Sequence, residues 1–226
     1  MMKELIFNNE IVRSKTFGDL NIDKFDATSC QFSDCTFQKL KIKEVCFGSG
    51  VIPTLYKNCL FGDATLSSHA PGRATFIGCK FNNVKFVRLF CTEIIFKKCF
   101  FSGDFQKGNI VGELANLRED SIRADDNDFT QLRFGDVSFH DLDFAKQKFC
   151  KEDRALIIEN VEDFIVQAKK QLDTISDFSL HDDAYRIVEI LELKNEDTNN
   201  QMFFNPKNFP KHLEAAARHI ASYIRF

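Results

Sequence analysis

The sequence predicts an all-β solenoid followed by a small C-terminal α-helical bundle. Three observations predict this fold class. Large apolar residues recur every five positions through the first 149 residues, the chain contains 26 Phe against 3 Tyr and no Trp, and the apolar spacing becomes helical after Cys150. Phenylalanine rings, which lack a polar handle, suit a dry and closely packed interior.

The five-residue period occurs in three runs, from Phe7 to Ile52, from Phe61 to Phe101 and from Phe129 to Phe149. Two positions before most of these residues lies a second apolar residue. Five steps rotate a helical residue by about 500°, and an odd spacing reverses the face of a strand, so neither regular element fits. The chain must therefore turn once per pentad, at corners suited to Gly, Asn, Asp and Ser, and stack into a solenoid.

Segments such as Cys30-Gln31-Phe32, Cys79-Lys80-Phe81 and Cys99-Phe100-Phe101 resemble a variant of the pentapeptide repeat, with Cys first and Phe at the centre. The resemblance to the pentapeptide repeat family covers about residues 5 to 149. It implies a right-handed quadrilateral β-helix with four pentads per turn, in which residues twenty apart stack. The expected core columns are Cys59, Cys79 and Cys99, and Phe61, Phe81 and Phe101.

The 8 Cys lack any C-x-x-C pair, and the 5 His are scattered singly, so we expect no metal site. The start of the chain lacks the pattern of a signal peptide, and no long apolar segment occurs, so we expect a cytoplasmic protein with reduced thiols and no membrane association. The cysteines that recur at the period either form a redox or metal site or serve as small apolar residues that fill the core. We expect the second.

Two domains are expected, a repeat shaft over 1–150 and a helical domain over 151–226. The phase changes predict breaks near 48–58 and 104–127. The first should be a short bulge from Gly48 to Lys57. The second should project as an insertion from Asp104 to Asn127, either a recognition element or a loosely packed connection. Its candidate partner-binding residues are Glu119, Asp120, Asp125 and Asp126.

Three helices are expected in the C-terminal domain. The first should run from about Glu152 to Ile175, and the second from an N-cap at Ser179 to Asn195. After a polar stretch to Asn208, Pro210 should open the third. The bundle either closes the last turn of the solenoid or serves dimerisation, including a homodimer, or partner binding.

The charge pattern and the motifs predict a binding function without catalysis. The solenoid carries 20 basic and 19 acidic residues, with neither a continuous basic face for DNA nor a continuous acidic face that mimics it. No common nucleotide, esterase or zinc-protease motif occurs, and His140 and His181 should lie on the surface. We therefore expect a non-enzymatic scaffold without cofactor or direct nucleic-acid binding.

Such a scaffold would engage a specific protein partner and neutralise or protect it. One form of the hypothesis is a toxin immunity protein. The alternative follows from the resemblance, because gyrase-protecting members of the family look like duplex DNA and occupy a topoisomerase. Those members have an acidic shaft, whereas the charge of this shaft is nearly balanced.

Overall fold

The computed structural model describes residues 3–68, 70–112, 124–195 and 200–224. The chain divides into two compact units, Met1–Phe149 and Cys150–Phe226. The first unit is a parallel β-solenoid, which confirms the predicted fold class, and the second contains the helices.

The strands of the solenoid are short and pair in parallel with the turn before and the turn after. Partners lie twenty residues apart where the repeat is regular, as for Phe17 and Phe37 or Phe61 and Phe81. The strands are β1 Glu4–Asn8, β2 Ile11–Arg13, β3 Thr16–Gly18, β4 Asn21–Thr28, β5 Gln31–Ser33, β6 Thr36–Gln38, β7 Lys41–Cys46, β8 Thr54–Lys57, β9 Leu60–Gly62, β10 Thr65–Ser67, β11 Ala74–Ile77, β12 Lys80–Val87, β13 Leu89–Cys91, β14 Ile94–Lys97, β15 Phe100–Val111 and β16 Asp128–His140.

Four pentads complete one turn, so the solenoid has four sides, which we name A to D in chain order. Each side is defined by the residue at the centre of each pentad, which points into the core. These residues are Phe7, Ala27, Phe47, Pro71, Cys91, Ile110 and Phe139 on side A; Val12, Phe32, Tyr56, Phe76, Phe96, Ala124 and Phe144 on side B; Phe17, Phe37, Phe61, Phe81, Phe101, Phe129 and Phe149 on side C; and Ile22, Ile42, Leu66, Phe86, Phe105 and Phe134 on side D.

Side C is the most regular part of the core. The ring of Phe81 lies between Phe61 and Phe101, with centroid distances of 4.9 and 4.8 Å and interplanar angles of 11° and 4°. This is the stack that a twenty-residue period predicts. Offset ring pairs at such distances stabilise a protein by about 0.5 to 1.5 kcal/mol each beyond the burial of their area.

Most corners of the solenoid use a left-handed residue two positions after the central one. Asn and Asp adopt this conformation at a lower cost than other residues with a Cβ, because their short polar side chains bond locally. The non-glycine residues with φ between 49° and 58° at these corners are Asn9, Ser14, Asp19, Ser29, Asp34, Lys39, Asn58, Asp63, Asn83, Arg88, Lys98, Asp126 and Asp141. The repeated corner residues are thus the ones that turn the chain.

The first break is shorter than the bulge expected from Gly48 to Lys57. Tyr56, rather than Ile52, is the central residue of side B in this turn. Its ring stacks on Phe32 at 4.9 Å and on Phe76 at 4.5 Å, and its hydroxyl donates to the Phe47 carbonyl at 2.9 Å. Strand β8 therefore belongs to the wall. Only residues 49–53 leave it.

The second break is also shorter than the expected insertion from Asp104 to Asn127. Strand β15 continues to Val111, with Phe105 paired with Phe86 and Ile110 paired with Cys91. The period escaped detection because Gly103 shortens one step to four residues. Its φ is 111°, and a Cβ there would lie 2.3 Å from the Val84 carbonyl oxygen. The wall resumes at Ala124.

The helical unit differs most from its prediction in its first segment. The single helix expected from Glu152 to Ile175 is divided into α1 Lys151–Arg154, strand β17 Ile157–Ile158 and α2 Val161–Leu172. The reason is local. The side chain of Asn160 accepts a hydrogen bond from the backbone N–H of Asp163 at 3.0 Å and so begins a new helix.

The remaining helices are α3 Phe178–Asn195 and α4 Glu214–Ala221. The carboxylate of Asp177, rather than the expected N-cap Ser179, accepts from the N–H of Leu180 at 3.1 Å. The stretch expected to be polar contributes strand β18 Met202–Phe203, which pairs antiparallel with β17. Its apolar residues join the core of this unit, so the unit is not a purely helical bundle.

Candidate protein-binding site

Both breaks interrupt the repeat at the same corner, between sides A and B. The first lies between Phe47 on side A and Tyr56 on side B, and the second lies between Ile110 on side A and Ala124 on side B. We call this corner the A–B edge; its described residues are Asn9, Ser29, the bulge 49–53, Arg73, Glu93, Gly112 and Asp141. The other three corners repeat without an insertion in the described part of the chain.

The bulge 49–53 is fixed to the turns on both sides of it. On one side, the hydroxyl of Ser49 lies 2.6 Å from the Thr28 hydroxyl and donates to the Asp26 carboxylate at 2.6 Å. Burial raises the pKa of Asp26, but the hydrogen bonds from Ser49 and Lys24 outweigh it and hold the pKa below its ordinary value. The carboxylate therefore stays charged and keeps accepting the Ser49 hydrogen bond at neutral pH.

Two further hydrogen bonds hold the backbone near the tip of the bulge. The hydroxyl of Ser29 donates to the Ile52 carbonyl at 3.3 Å, and the guanidinium of Arg73 donates to the Val51 carbonyl at 3.2 Å. The same guanidinium pairs with Glu93 at 2.6 Å. Because the carbonyls are held from both sides, the tip has a defined conformation.

Two apolar side chains stand at this tip. Val51 is 87% exposed and Ile52 is 67% exposed. The sequence does not single them out, because Ile52 fits the five-residue period of the core. Their signal was the flanking sequence, Gly48-Ser49-Gly50 before them and Pro53 after them, which is typical of a loop.

The structure describes two of the four predicted partner-binding residues. Glu119 and Asp120 lie outside the described residues. Asp125 and Asp126 lie at the end of side B. The Asp125 carbonyl accepts from the N–H of Lys98 at 2.8 Å, and the N–H of Asp126 donates to the Lys146 carbonyl at 2.9 Å. The carboxylate of Asp125 lies 3.9 Å from the Lys146 ammonium.

The predicted core residues Cys59, Cys79 and Cys99 are buried in one column. The hydrogen bond with Cys59 lowers the pKa of Cys79, but the bond with Cys99 and burial outweigh it and raise the pKa to about 12. Burial raises the pKa of Cys91 as well. The thiols of Cys79 and Cys91 are therefore protonated at neutral pH and are poor nucleophiles, as expected of residues that fill the core.

The column continues with two amide side chains, which sequence analysis also missed. Asn127 accepts from the N–H of Cys99 at 3.0 Å and donates to the Phe96 carbonyl at 2.7 Å. Gln147 accepts from both the backbone and the side-chain nitrogen of Asn127 at 3.1 Å, and donates to the Ala124 carbonyl at 2.6 Å. This network fixes the chain where it returns from the second break.

The two histidines with neighbouring carboxylates show surface contacts. His140 Nε2 lies 3.2 Å from the Ser138 hydroxyl, and His181 Nδ1 lies 3.6 Å from Asp182. Within the described ranges, no group of three or more His, Cys, Asp or Glu side chains is arranged to hold a metal ion. No helix there has both the length and the apolar character needed to cross a membrane.

Comparison with protein-family models and with curated proteins finds no match for this chain. The inference about function therefore depends on the structure, in which the A–B edge is the feature that departs most from the regular repeat.

Proposed function

We propose that the protein is a non-enzymatic scaffold that binds a specific protein partner through the A–B edge and neutralises or protects that partner. The observation that carries this proposal is the position of the two breaks at one corner, with Val51 and Ile52 exposed on a bulge held by hydrogen bonds. Because the backbone that carries these side chains is already held in place, less conformational entropy is lost on binding, which favours recognition.

The partner class follows from the character of the tip. Two aliphatic side chains fit an apolar pocket with a rim that bonds to the nearby Ser, Arg and Glu side chains, which is the usual composition of a protein–protein interface. A toxin neutralised by its immunity protein is one form of this partner. We also propose that the solenoid belongs to the pentapeptide repeat family, on the basis of four pentads per turn with two inward residues each.

The arrangement of charge does not favour the alternative of a DNA-mimicking topoisomerase protection protein. Mimicry needs a continuous acidic stripe along the shaft. On side D, the outward residues immediately before the central ones are mixed and include three cations; in order they are Asn21, Lys41, Thr65, Lys85, Asp104 and Arg133. Asp104 is moreover neutralised by Arg133 in a two-bond ion pair at 2.7 and 2.9 Å.

Site-specific photocrosslinking tests the proposal. A photoreactive amino acid replaces Ile52 in one variant and Asn82, an exposed residue of side C, in a matched control. We expect a single crosslinked protein from Ile52 in extracts of the native host, and none from Asn82. The crosslink should be competed by the unlabelled parent protein, but not by a V51S/I52S variant.

Two results would contradict the proposal. Crosslinking from Asn82 with none from Ile52 would place the partner on the regular wall and return attention to the topoisomerase alternative. Competition by V51S/I52S as effective as that by the parent would show that the tip makes no contribution to affinity.

The homodimer expected through the C-terminal helices stays a prediction. Helix α3 exposes Phe178 (78%) and Leu193 (71%). Sedimentation of the parent chain and of a F178S/L193S variant tests it. A monomer in both would contradict the expectation.

A further inference from the structure

Side D carries a shallow notch that is independent of the A–B edge. It is lined by Lys41, Lys43, Thr65, Ser67, Val87 and Arg88, with a volume of about 440 Å³. The register explains its shape. Thr65 pairs with Lys41 in the turn before and with Lys85 in the turn after. Short hydroxyl side chains therefore form the floor between two turns that carry long cations.

The charges at this notch are unbalanced. The ammonium of Lys43 is paired with Asp23 at 2.6 Å, and the nearby carboxylate of Glu44 accepts from the Ser68 hydroxyl at 3.0 Å. Lys41, Lys85 and Arg88 have no ion-pair partner among the residues that the structure describes. Lys41 and Arg88 thus bring two uncompensated positive charges to the lining of the notch, beside the hydroxyls of Thr65 and Ser67.

We propose that the notch of side D binds a phosphate monoester group. A phosphate monoester carries a charge of about −1.5 to −2 at pH 7 and presents three acceptor oxygens, which matches two free cations and two hydroxyl donors. A carboxylate has one charge and two oxygens, so it satisfies fewer of these donors. An extended nucleic acid would need the cations to continue along the side, but the next outward residues, Asp104 and Arg133, neutralise each other.

The test is a titration of the full chain, labelled with ¹⁵N, followed by amide chemical shifts. The probes are inorganic phosphate and a peptide containing one phosphoserine, with sulfate and the matching glutamate peptide as comparisons. We expect shifts at the amides of Thr65 and Ser67. Because the second pKa of a phosphorylated side chain is about 6, affinity for the phosphopeptide should rise about tenfold from pH 5 to pH 7, whereas affinity for sulfate should not.

Variants locate the binding. Lys41→Gln and Thr65→Val should each weaken phosphopeptide binding about tenfold to a hundredfold, as loss of one hydrogen bond to a charged group does. Thr65→Val keeps the branched shape that the strand accepts, and an unchanged melting temperature verifies the fold. Lys80→Gln is the matched control. It removes a cation from side C in strand β12, which also carries Val87 of the notch, and should weaken binding less than about twofold.

Three results would overturn the proposal. They are the absence of shifts at Thr65 and Ser67, an equal loss of affinity with Lys80→Gln, and binding of the glutamate peptide as tight as that of the phosphopeptide; the last would identify an acidic protein segment instead. His69 lies outside the described residues, so the pH series is repeated with His69→Gln. Loss of the tenfold rise in that variant would also count against the proposal.

The two phosphate probes distinguish the source of the group. Tighter binding of the phosphopeptide than of inorganic phosphate would indicate a phosphorylated protein segment. Equal or weaker binding would indicate a small phosphate compound. The test does not involve Val51 or Ile52, so its failure would leave the proposed function of the A–B edge unaffected.

Discussion

Side C and the A–B edge are built from the same repeat, yet they differ in what a change of sequence does to them. On side C, each ring stacks on the ring of the turn before, so one residue determines the packing of two neighbours. At the A–B edge, the repeat is interrupted twice, and the rings of side C stay stacked across both interruptions. The regular side therefore supplies rigidity, and the interrupted corner supplies a surface unlike any other part of the shaft.

The largest expected effect is on side C. Phe81→Ala should lower the free energy of unfolding by about 3 to 5 kcal/mol, because it removes a buried ring from a stack and leaves a cavity. Urea denaturation measures the loss. Phe100→Ala, which alters the half-buried outward neighbour of Phe101, is the control and should cost less than half as much. A loss below about 1 kcal/mol for Phe81→Ala would contradict the importance of the stack.

The next effect concerns the amide network at the return from the second break. Asn127→Ala should cost about 2 to 3 kcal/mol, because the N–H of Cys99 and the carbonyl of Phe96 lose their buried partner. Cys99→Ala, in the same column, removes only a small apolar side chain and should cost less. If the order of the two losses were reversed, the amide would not be what holds this corner.

The buried thiols should lower the free energy of unfolding at alkaline pH. In the unfolded chain a thiol ionises near pH 9, whereas the folded state keeps Cys79 and Cys91 protonated to higher pH. The contribution is therefore fully present below pH 9 and falls as pH rises above it, by about 1.5 kcal/mol for each thiol at pH 10. Denaturation midpoints between pH 7 and 10 measure it, and Cys91→Ala should show a shallower decline. An equal decline in that variant would speak against it.

The smallest effect on stability is expected at the tip of the bulge. The V51S/I52S variant should change the free energy of unfolding by less than about 0.5 kcal/mol, because both side chains are exposed. Ser49→Ala should cost about 1 kcal/mol, since it removes the hydrogen bonds to Thr28 and Asp26. Thermal unfolding of both variants sharpens the comparison. A large loss for V51S/I52S would show that the tip is part of the fold.

The sequence predicts the fold correctly where the five-residue period is regular. It does not predict the structure where one residue changes the local backbone. The stack through Phe81 follows directly from the period. In contrast, the distance between central residues is four rather than five at Gly103, although the strand continues. The five-residue period therefore ends there, and the residues that follow resemble an insertion. Asn160 likewise divides an apolar spacing that would otherwise read as one helix.

The candidate site could be predicted only in outline. The phase changes predict two breaks. The phase changes do not show that both breaks occur at the same corner. That result requires two facts from the structure: the step at Gly103 is four residues long, and Tyr56 rather than Ile52 is the central residue of side B. The acidic character of the expected insertion predicts a binding role for Asp125 and Asp126. Their backbone hydrogen bonds instead join them to the neighbouring turns of the solenoid.

The closure of the second break has a consequence for how this protein can change. The N–H of Ala124 donates to the Gly112 carbonyl at 2.9 Å, so the two ends of the break are joined independently of what lies between them. The strands on both sides of the break are therefore held in register by a bond between described residues, and we expect a foreign peptide inserted directly after Gly112 to leave that register unchanged.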